Sequence, residues 1–273
     1  MKVPDINSFS KFILSTMKNK IKKVNAAILI IGDEILSGRT QDTNVAFVSK
    51  WLNNHCGISV EEVRIIPDIK NKIIKTVLEL CKKNNYVFTT GGIGPTHDDI
   101  TAESVSKAFN VKYEFHKEAF DILEKYYGKK KFNDGRKKMA MMPRGSSLIY
   151  NPSSAAPGFM IKNVFCLPGV PSILMSMIEN SKKYLIKGSK TSSQTISCIT
   201  VESNIAKDLK KVQKKFKKDL AIGSYPFFRL GKVGVSIVIR SKNIKKLKIC
   251  LSLIKKILKQ KKIKTFNLDR KAN

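Results

Sequence analysis

The sequence predicts an α/β fold with three layers, in which a mostly parallel sheet lies between helices, followed by a small α+β domain. Strand-like and helical segments alternate over residues 24–187, which is the pattern of crossover connections in a parallel sheet. The first strand-like run, residues 26–31, is apolar throughout, as expected for a strand covered on both faces. After a polar linker at 187–193, the order becomes strand, helix, strand, strand, helix over 194–260, which is typical of a ferredoxin-like domain.

The next elements of the larger domain are predicted from the spacing of apolar residues. A helix capped by Asp42 or Thr43 carries apolar residues at helical spacing and ends at Gly57. Residues 58–66 alternate between apolar and polar types and predict a strand. Residues 71–83 carry an apolar stripe and predict a helix.

The rest of this domain follows from similar patterns. Pro171 suits the first turn of a helix, because its missing N–H would have no partner there. The remaining predicted elements are a strand from Tyr86, helices over 101–109 and 117–127, a hairpin of strands 159–161 and 164–167, and a helix from Pro171.

In the small domain we predict strands at 195–201, 220–225 and 233–240, and helices at 203–216 and 244–258. The lysine-bearing leader at 1–23 is expected to be disordered, and residues 261–273 are expected to form a frayed tail. A second methionine, Met17, leaves open whether residues 1–16 are translated.

One glycine-rich stretch, residues 86–101, indicates phosphate chemistry. Gly91, Gly92 and Gly94 allow the backbone to turn sharply and to approach a ligand closely. A helix then begins, and its N-terminus attracts anions through unpaired N–H groups and the helix dipole. The stretch matches neither the dinucleotide nor the P-loop fingerprint. An alternative is that Asp98, Asp99 or Thr101 merely caps the helix.

Acidic side chains are predicted to meet at the carboxyl ends of the strands, where open α/β sheets bind ligands. The acids at these ends are Asp33, Asp68, Asp98 and Asp99. A site that attracts phosphate and also holds acids needs a divalent cation between them. Pro168, Gly169 and Pro171 give a second glycine-bearing helix entry, which is suited to another phosphate or a heterocycle.

Composition excludes some classes of function. The net charge of +31 comes almost wholly from lysine spread over solvent faces, so we expect no specific nucleic-acid partner, only weak and salt-sensitive binding. The five cysteines are scattered singly, which indicates a reducing compartment and a cytoplasmic protein. No apolar run is long enough to cross a bilayer, so no membrane partner is expected.

Four ordered motifs together resemble one family. They are Gly32 to Leu36 with Gly38, Asp42 and Asn44; Thr89 to Thr101; Ala156 to Phe159; and Leu167 to Pro171. This set resembles the molybdopterin-binding (MoaB/Mog-like) domain, in the form found at the N-terminus of competence/damage-inducible protein A (CinA). The resemblance covers about residues 25–185, and the small domain is similar to the one that follows in CinA-type proteins.

The resemblance implies a homo-oligomer that binds a nucleotide or pterin, with molybdopterin as one possible ligand. It implies catalytic roles for Asp68 and Asp99, and a divalent metal whose identity as Mg, Mn or Co stays open. The ligand-binding residues that it implies are Gly32, Asp33, Glu34, Asp42, Asn44, Thr90, Gly91, Gly92, Gly94, Thr96, Asp98, Pro168, Gly169 and Pro171.

Three functions are therefore considered. The favoured one is metal-dependent hydrolysis of a dinucleotide pyrophosphate, ADP-ribose or FAD. The alternatives are a molybdopterin-binding or adenylyltransferase protein of molybdenum cofactor biosynthesis, and a non-enzymatic basic protein associated with nucleic acid. CinA-type relatives also carry a nicotinamide-nucleotide amidase domain for which this chain leaves no room, so no amidase activity is expected. His97 stands where the family usually has a small residue, and we interpret it as a bystander.

Overall fold

A computed structural model describes residues 24–229 and 231–266; the predicted leader and the end of the predicted tail lie outside the described residues. The chain divides into two compact units, with the boundary between Ser189 and Lys190. The first unit has two hydrophobic cores, and the second has one.

The first unit contains the predicted alternation of strands and helices. Its strands are Asn25–Ile31 (β1), Ser59–Ile66 (β2), Tyr86–Thr90 (β3), Tyr113–Phe115 (β4), Met141–Pro143 (β5), Ser147–Ile149 (β6), Gly158–Ile161 (β7) and Val164–Leu167 (β8). Its α-helices are Asp33–Leu36 (α1), Asn44–Trp51 (α2), Lys70–Lys83 (α3), Thr101–Ala108 (α4), Lys117–Tyr127 (α5), Asp134–Lys138 (α6) and Pro171–Met177 (α7). Shorter helical turns cover Leu52–Cys56, Lys129–Lys131 and Ile178–Tyr184.

The main sheet has the order β2-β1-β3-β8-β7-β6. The four neighbours β2, β1, β3 and β8 run parallel, and β7 is antiparallel to both of its neighbours. Alternate residues of β1 enter two different cores: Ala27, Leu29 and Ile31 pack on one face, and Ala26, Ile28 and Ile30 pack on the other. The sheet is therefore covered on both faces, and the predicted three-layer α/β fold is confirmed.

Several short elements were not predicted. The segment after β1 forms α1 rather than an irregular loop, and β4 pairs with β5 in a separate two-stranded sheet. The helix α6 was also missed. Each of these elements has only three to five residues, which is too short for a hydrophobic period to emerge.

The second unit is built from Ser192–Cys198 (β9), Ser203–Phe216 (α8), Ala221–Arg229 (β10), Lys232–Ser241 (β11), Ile244–Gln260 (α9) and Thr265–Phe266 (β12). Its sheet is antiparallel, with the order β10-β11-β9-β12. The inward residues of the sheet share one core with α8 and α9. This arrangement confirms the predicted ferredoxin-like domain.

Two predicted boundaries in this unit are corrected. The domain does not end at 260, because β12 pairs with β9 through Thr265 and Cys198. The first strand covers 192–198 rather than 195–201, since the apolar residues Ile199 and Val201 are exposed.

The cysteines lie mostly in the cores, and all five are free thiols. Across the described ranges, the structure contains no helix with the length and apolar character needed to cross a bilayer.

Candidate functional site

A cleft of ≈ 330 Å³ lies at the carboxyl ends of the parallel strands. We call it the strand-end cleft. It forms there because β2, β1, β3 and β8 are neighbours and their following loops meet at one edge of the sheet. The predicted site residues that line it are Gly32, Glu34, Asp68, Gly91, Gly92, Gly94, Asp98, Asp99, Pro168 and Gly169.

Other predicted site residues support the cleft from outside its lining. The side chain of Asp42 accepts a hydrogen bond from the N–H of Val45 at 3.0 Å, so it caps α2 as predicted. Asn44 is buried, and its amide Nδ2 donates to the carbonyl oxygen of Gly169 at 2.8 Å. This bond connects α2 to the loop that follows β8.

The other predicted site residues lie at element ends or in the loops beside the cleft. Thr90 is buried at the end of β3, and Pro171 begins α7. Asp33 is exposed, and its backbone N–H donates to Oδ2 of Asp68 at 3.0 Å. Thr96 bonds Asp99 within the glycine-rich loop.

The glycines are required by backbone geometry. Gly91 has a φ of 98° and Gly92 a φ of 68°, both in the left-handed region that glycine favours. A Cβ at Gly91 would overlap the carbonyl oxygen of Ile31, and one at Gly92 would overlap the hydroxyl of Thr101. The glycines are therefore needed for the turn itself, and their predicted contact with a ligand stays a prediction.

Thr101 fastens this glycine turn, a role that was not predicted. Its N–H donates to the carbonyl oxygen of Gly92 at 2.9 Å, and its hydroxyl donates to the carbonyl oxygen of Gly91 at 3.0 Å. The first N–H of α4 is therefore engaged by the loop. This N–H is not available to an anion, and the predicted anion binding at the helix N-terminus stays a prediction.

Asp99 is held by its own loop. Its Oδ2 accepts hydrogen bonds from the N–H of Thr96 at 2.8 Å and from the Thr96 hydroxyl. Within the described part of the chain, no side chain caps the N-terminus of α4, which Ile100 precedes. The helix-capping alternative for Asp98, Asp99 and Thr101 is therefore wrong.

The surroundings of Asp68 disfavour the ionised form of its carboxyl group. Burial raises its pKa, while the N–H of Asp33 acts in the opposite direction. The nearby carboxylates of Asp33, Glu34 and Asp98 raise the pKa further. Such a combination of burial and like charges is common at functional sites.

The raised pKa of Asp68 predicts a pH-dependent effect on stability. The folded state binds this proton more tightly than the unfolded chain, so the ionised group destabilises the fold as pH rises above 3.8 through the folded pKa. Asp68→Asn removes the charge and keeps an oxygen that can accept from Asp33. We expect its melting temperature to exceed that of wild type by a few degrees at pH 7, with the difference shrinking towards pH 4. Thermal melts across this pH range test the prediction, and a lower melting temperature at pH 7 would contradict it.

Asp98 and His97 lie at the outer side of the loop. The Thr96 hydroxyl is the main cause that lowers the pKa of Asp98, with a smaller contribution from His97. The His97 side chain is 99% exposed, and its Nδ1 lies 4.0 Å from Oδ1 of Asp98. His97 therefore does not line the cleft itself, and its recorded contact there is with Asp98.

The acids of the cleft do not form a complete metal site. No group of three or more His, Cys, Asp or Glu side chains in residues 24–229 and 231–266 is arranged to hold an ion. Glu34, Asp68, Asp98 and Asp99 nevertheless bring carboxylate oxygens to one cleft. This donor set fits an ion such as Mg²⁺, which proteins bind through one or two carboxylates together with substrate phosphates.

The sequence of this chain also matches known protein families. The family described as "Probable molybdopterin binding domain" matches residues 27–187, and "FAD synthase, middle domain" matches residues 190–267. A protein of Archaeoglobus fulgidus is 35% identical over 199 residues, which cover 73% of this chain and 84% of that protein.

Two solved structures are similar to part of this chain. The protein CinA from Thermoplasma acidophilum, of unknown function, is 32% identical with a TM-score of 0.56, over 60% of this chain and 99% of that chain. The molybdopterin biosynthesis enzyme MoaB from Thermus thermophilus is 17% identical with a TM-score of 0.40, over 59% of this chain and 91% of that chain. As its motifs predicted, this chain belongs to the molybdopterin-binding domain family and is a CinA-like member of it.

Proposed function

We propose that the strand-end cleft hydrolyses the pyrophosphate of a dinucleotide, ADP-ribose or FAD, in the presence of a divalent metal. The observation that carries this proposal is the pairing of two anchored carboxylates, Asp68 and Asp99, across a cleft whose other walls are glycine-bearing loops. FAD is included because the second domain matches the middle domain of FAD synthase.

The two acids are held so that each presents one oxygen. The anchoring hydrogen bonds of Asp68 and Asp99 use Oδ2 in both residues. Oδ1 of Asp99 would serve as a ligand for a cation, which would neutralise the phosphates and polarise the phosphorus for attack, while Oδ1 of Asp68 would stay free to accept a proton. Without such a cation, the acids would repel a pyrophosphate.

In the proposed reaction, Asp68 acts as the general base. Its raised pKa makes it a stronger base than an ordinary aspartate. It takes a proton from water, the water oxygen bonds to one phosphorus, and the P–O bond to the bridging oxygen breaks. The products are AMP and ribose 5-phosphate from ADP-ribose, or AMP and FMN from FAD.

Molybdopterin binding or adenylyl transfer is the second candidate. The description of the matched family favours it, and so does the loop at residues 168–171, which gives a second glycine-bearing wall. The two candidates differ in the fate of the bound ligand, since only hydrolysis consumes the dinucleotide with water.

A ligand screen tests the proposed function. We expect ADP-ribose or FAD to raise the melting temperature of the full chain only when Mg²⁺, Mn²⁺ or Co²⁺ is present, because a bound ligand stabilises the folded state by mass action. Chromatography should then detect AMP. AMP and adenosine serve as controls that lack the pyrophosphate. Stabilisation by a pterin phosphate alone, with no AMP formed from either dinucleotide, would favour the second candidate.

A further inference from the structure

The short helix α6 lies directly against the glycine-rich loop. A Cβ placed on Gly135 would lie 3.2 Å from the carbonyl oxygen of Pro95, so the two backbones approach closely. One turn further, the ammonium group of Lys138 donates to the carbonyl oxygen of Thr96. Helix and loop are therefore in contact at two successive positions, although they are about forty residues apart in sequence.

The helix α6 is itself held in place. The side chain of Asn133 caps it by accepting from the N–H of Arg136 at 3.1 Å. The Arg136 guanidinium donates to the carbonyl oxygen of Lys131 and lies 4.1 Å from the centre of the Tyr127 ring. Lys138 therefore extends from an anchored element.

Lys138 brings a positive charge to a small cavity that borders the carboxylates of the cleft. It lines this cavity together with Gly94 and Asp99, and both of these residues also line the strand-end cleft. The cleft carries several carboxylates, and the loop that Lys138 contacts holds two of them, Asp98 and Asp99.

We propose that Lys138 is a positioning residue of the glycine-rich loop, which it tethers through Thr96 while offsetting the charges of Asp98 and Asp99. The tether keeps Asp99 at its place in the cleft, because Thr96 is also the residue that bonds Asp99. The offset lowers the repulsion that a pyrophosphate meets there. The lower repulsion of a pyrophosphate rests on the proposed function, whereas the tether does not.

The tether is tested in the full chain without ligand, by amide hydrogen exchange. The N–H groups of Thr96 and Asp99 are bonded within the loop, the first to Oδ2 of Asp99 and the second to the carbonyl oxygen of Thr96. In Lys138→Met we expect these amides to exchange about fivefold faster or more, because the loop opens more often. Lys138→Arg should restore the wild-type rate, and Lys137→Met, on the same helix but paired with Asp134, should leave it unchanged.

The charge offset is tested by kinetics with ADP-ribose and Mg²⁺. Loss of a charged contact predicts that Lys138→Met raises KM about tenfold and changes kcat less than about threefold, with partial rescue in Lys138→Arg. Exchange rates in Lys138→Met equal to wild type would overturn the tether. Faster exchange with an unchanged KM would overturn the offset. If wild type neither binds nor hydrolyses a dinucleotide, the proposed function fails, and the exchange rates still decide the tether.

Discussion

Asp99→Asn is expected to lower dinucleotide hydrolysis by about 100-fold or more while the fold stays intact. The asparagine side-chain oxygen can still accept from the N–H and the hydroxyl of Thr96, as Oδ2 of Asp99 does. The loop therefore keeps its internal bonds. The cleft, however, exchanges a carboxylate oxygen for an amide NH₂, which cannot bind a cation and donates instead of accepting.

The control is Asp121→Asn, which removes a charge from an exposed residue of α5 in the same unit. Turnover of ADP-ribose with saturating Mg²⁺ and the melting temperature should be measured for both variants. We expect both melting temperatures to stay near wild type, and only Asp99→Asn to lose turnover. Normal turnover by Asp99→Asn would show that this carboxylate only bonds the loop, and the proposed mechanism would be wrong.

Much of the fold could be predicted because the parallel strands have recognisable patterns, of which the apolar run of β1 is the clearest. Residues 26–31 have no polar member, and the structure buries every one of them. Once strands and helices alternate, chain direction alone brings the loops after β1, β2 and β3 to one edge. The meeting of Asp68 and Asp99 in one cleft follows from this topology rather than from any local pattern.

The contacts that hold the site could not be predicted in the same way. Thr101 was recognised only as a helix-cap candidate, because its spacing does not reveal that both its N–H and its hydroxyl bond the glycine turn. The contact of Lys138 with Thr96 depends on the packing of a five-residue helix without a hydrophobic period. The strand β12 was missed because a two-residue strand is defined only by its partner.

Gly91→Ala is expected to destabilise the fold more than any of the other substitutions proposed above. The residue lies between two strands: its N–H donates to the carbonyl oxygen of Leu167 at 3.1 Å, and an added Cβ would overlap the carbonyl oxygen of Ile31. Movement of the backbone away from Ile31 would push it towards Leu167 on the other side and distort the hydrogen bond between them. A left-handed φ for alanine costs roughly 1–2 kcal/mol, and the overlap with a fixed backbone atom adds roughly 1–3 kcal/mol.

The matched control is Gly145→Ala. Gly145 also has a positive φ, of 83°, but among the described residues beyond its chain neighbours no atom lies within 4 Å of its added Cβ, so only the cost of the backbone conformation applies. Denaturant unfolding should therefore show a modest loss for Gly145→Ala, and for Gly91→Ala a loss at least about twice as large, or failure to fold. Because the predicted clash is with Ile31 and not with a ligand, the difference between the two variants should be present without any ligand. Equal losses in the two variants would mean that the turn after β3 relaxes freely, and that the glycine there is required for its backbone angle alone.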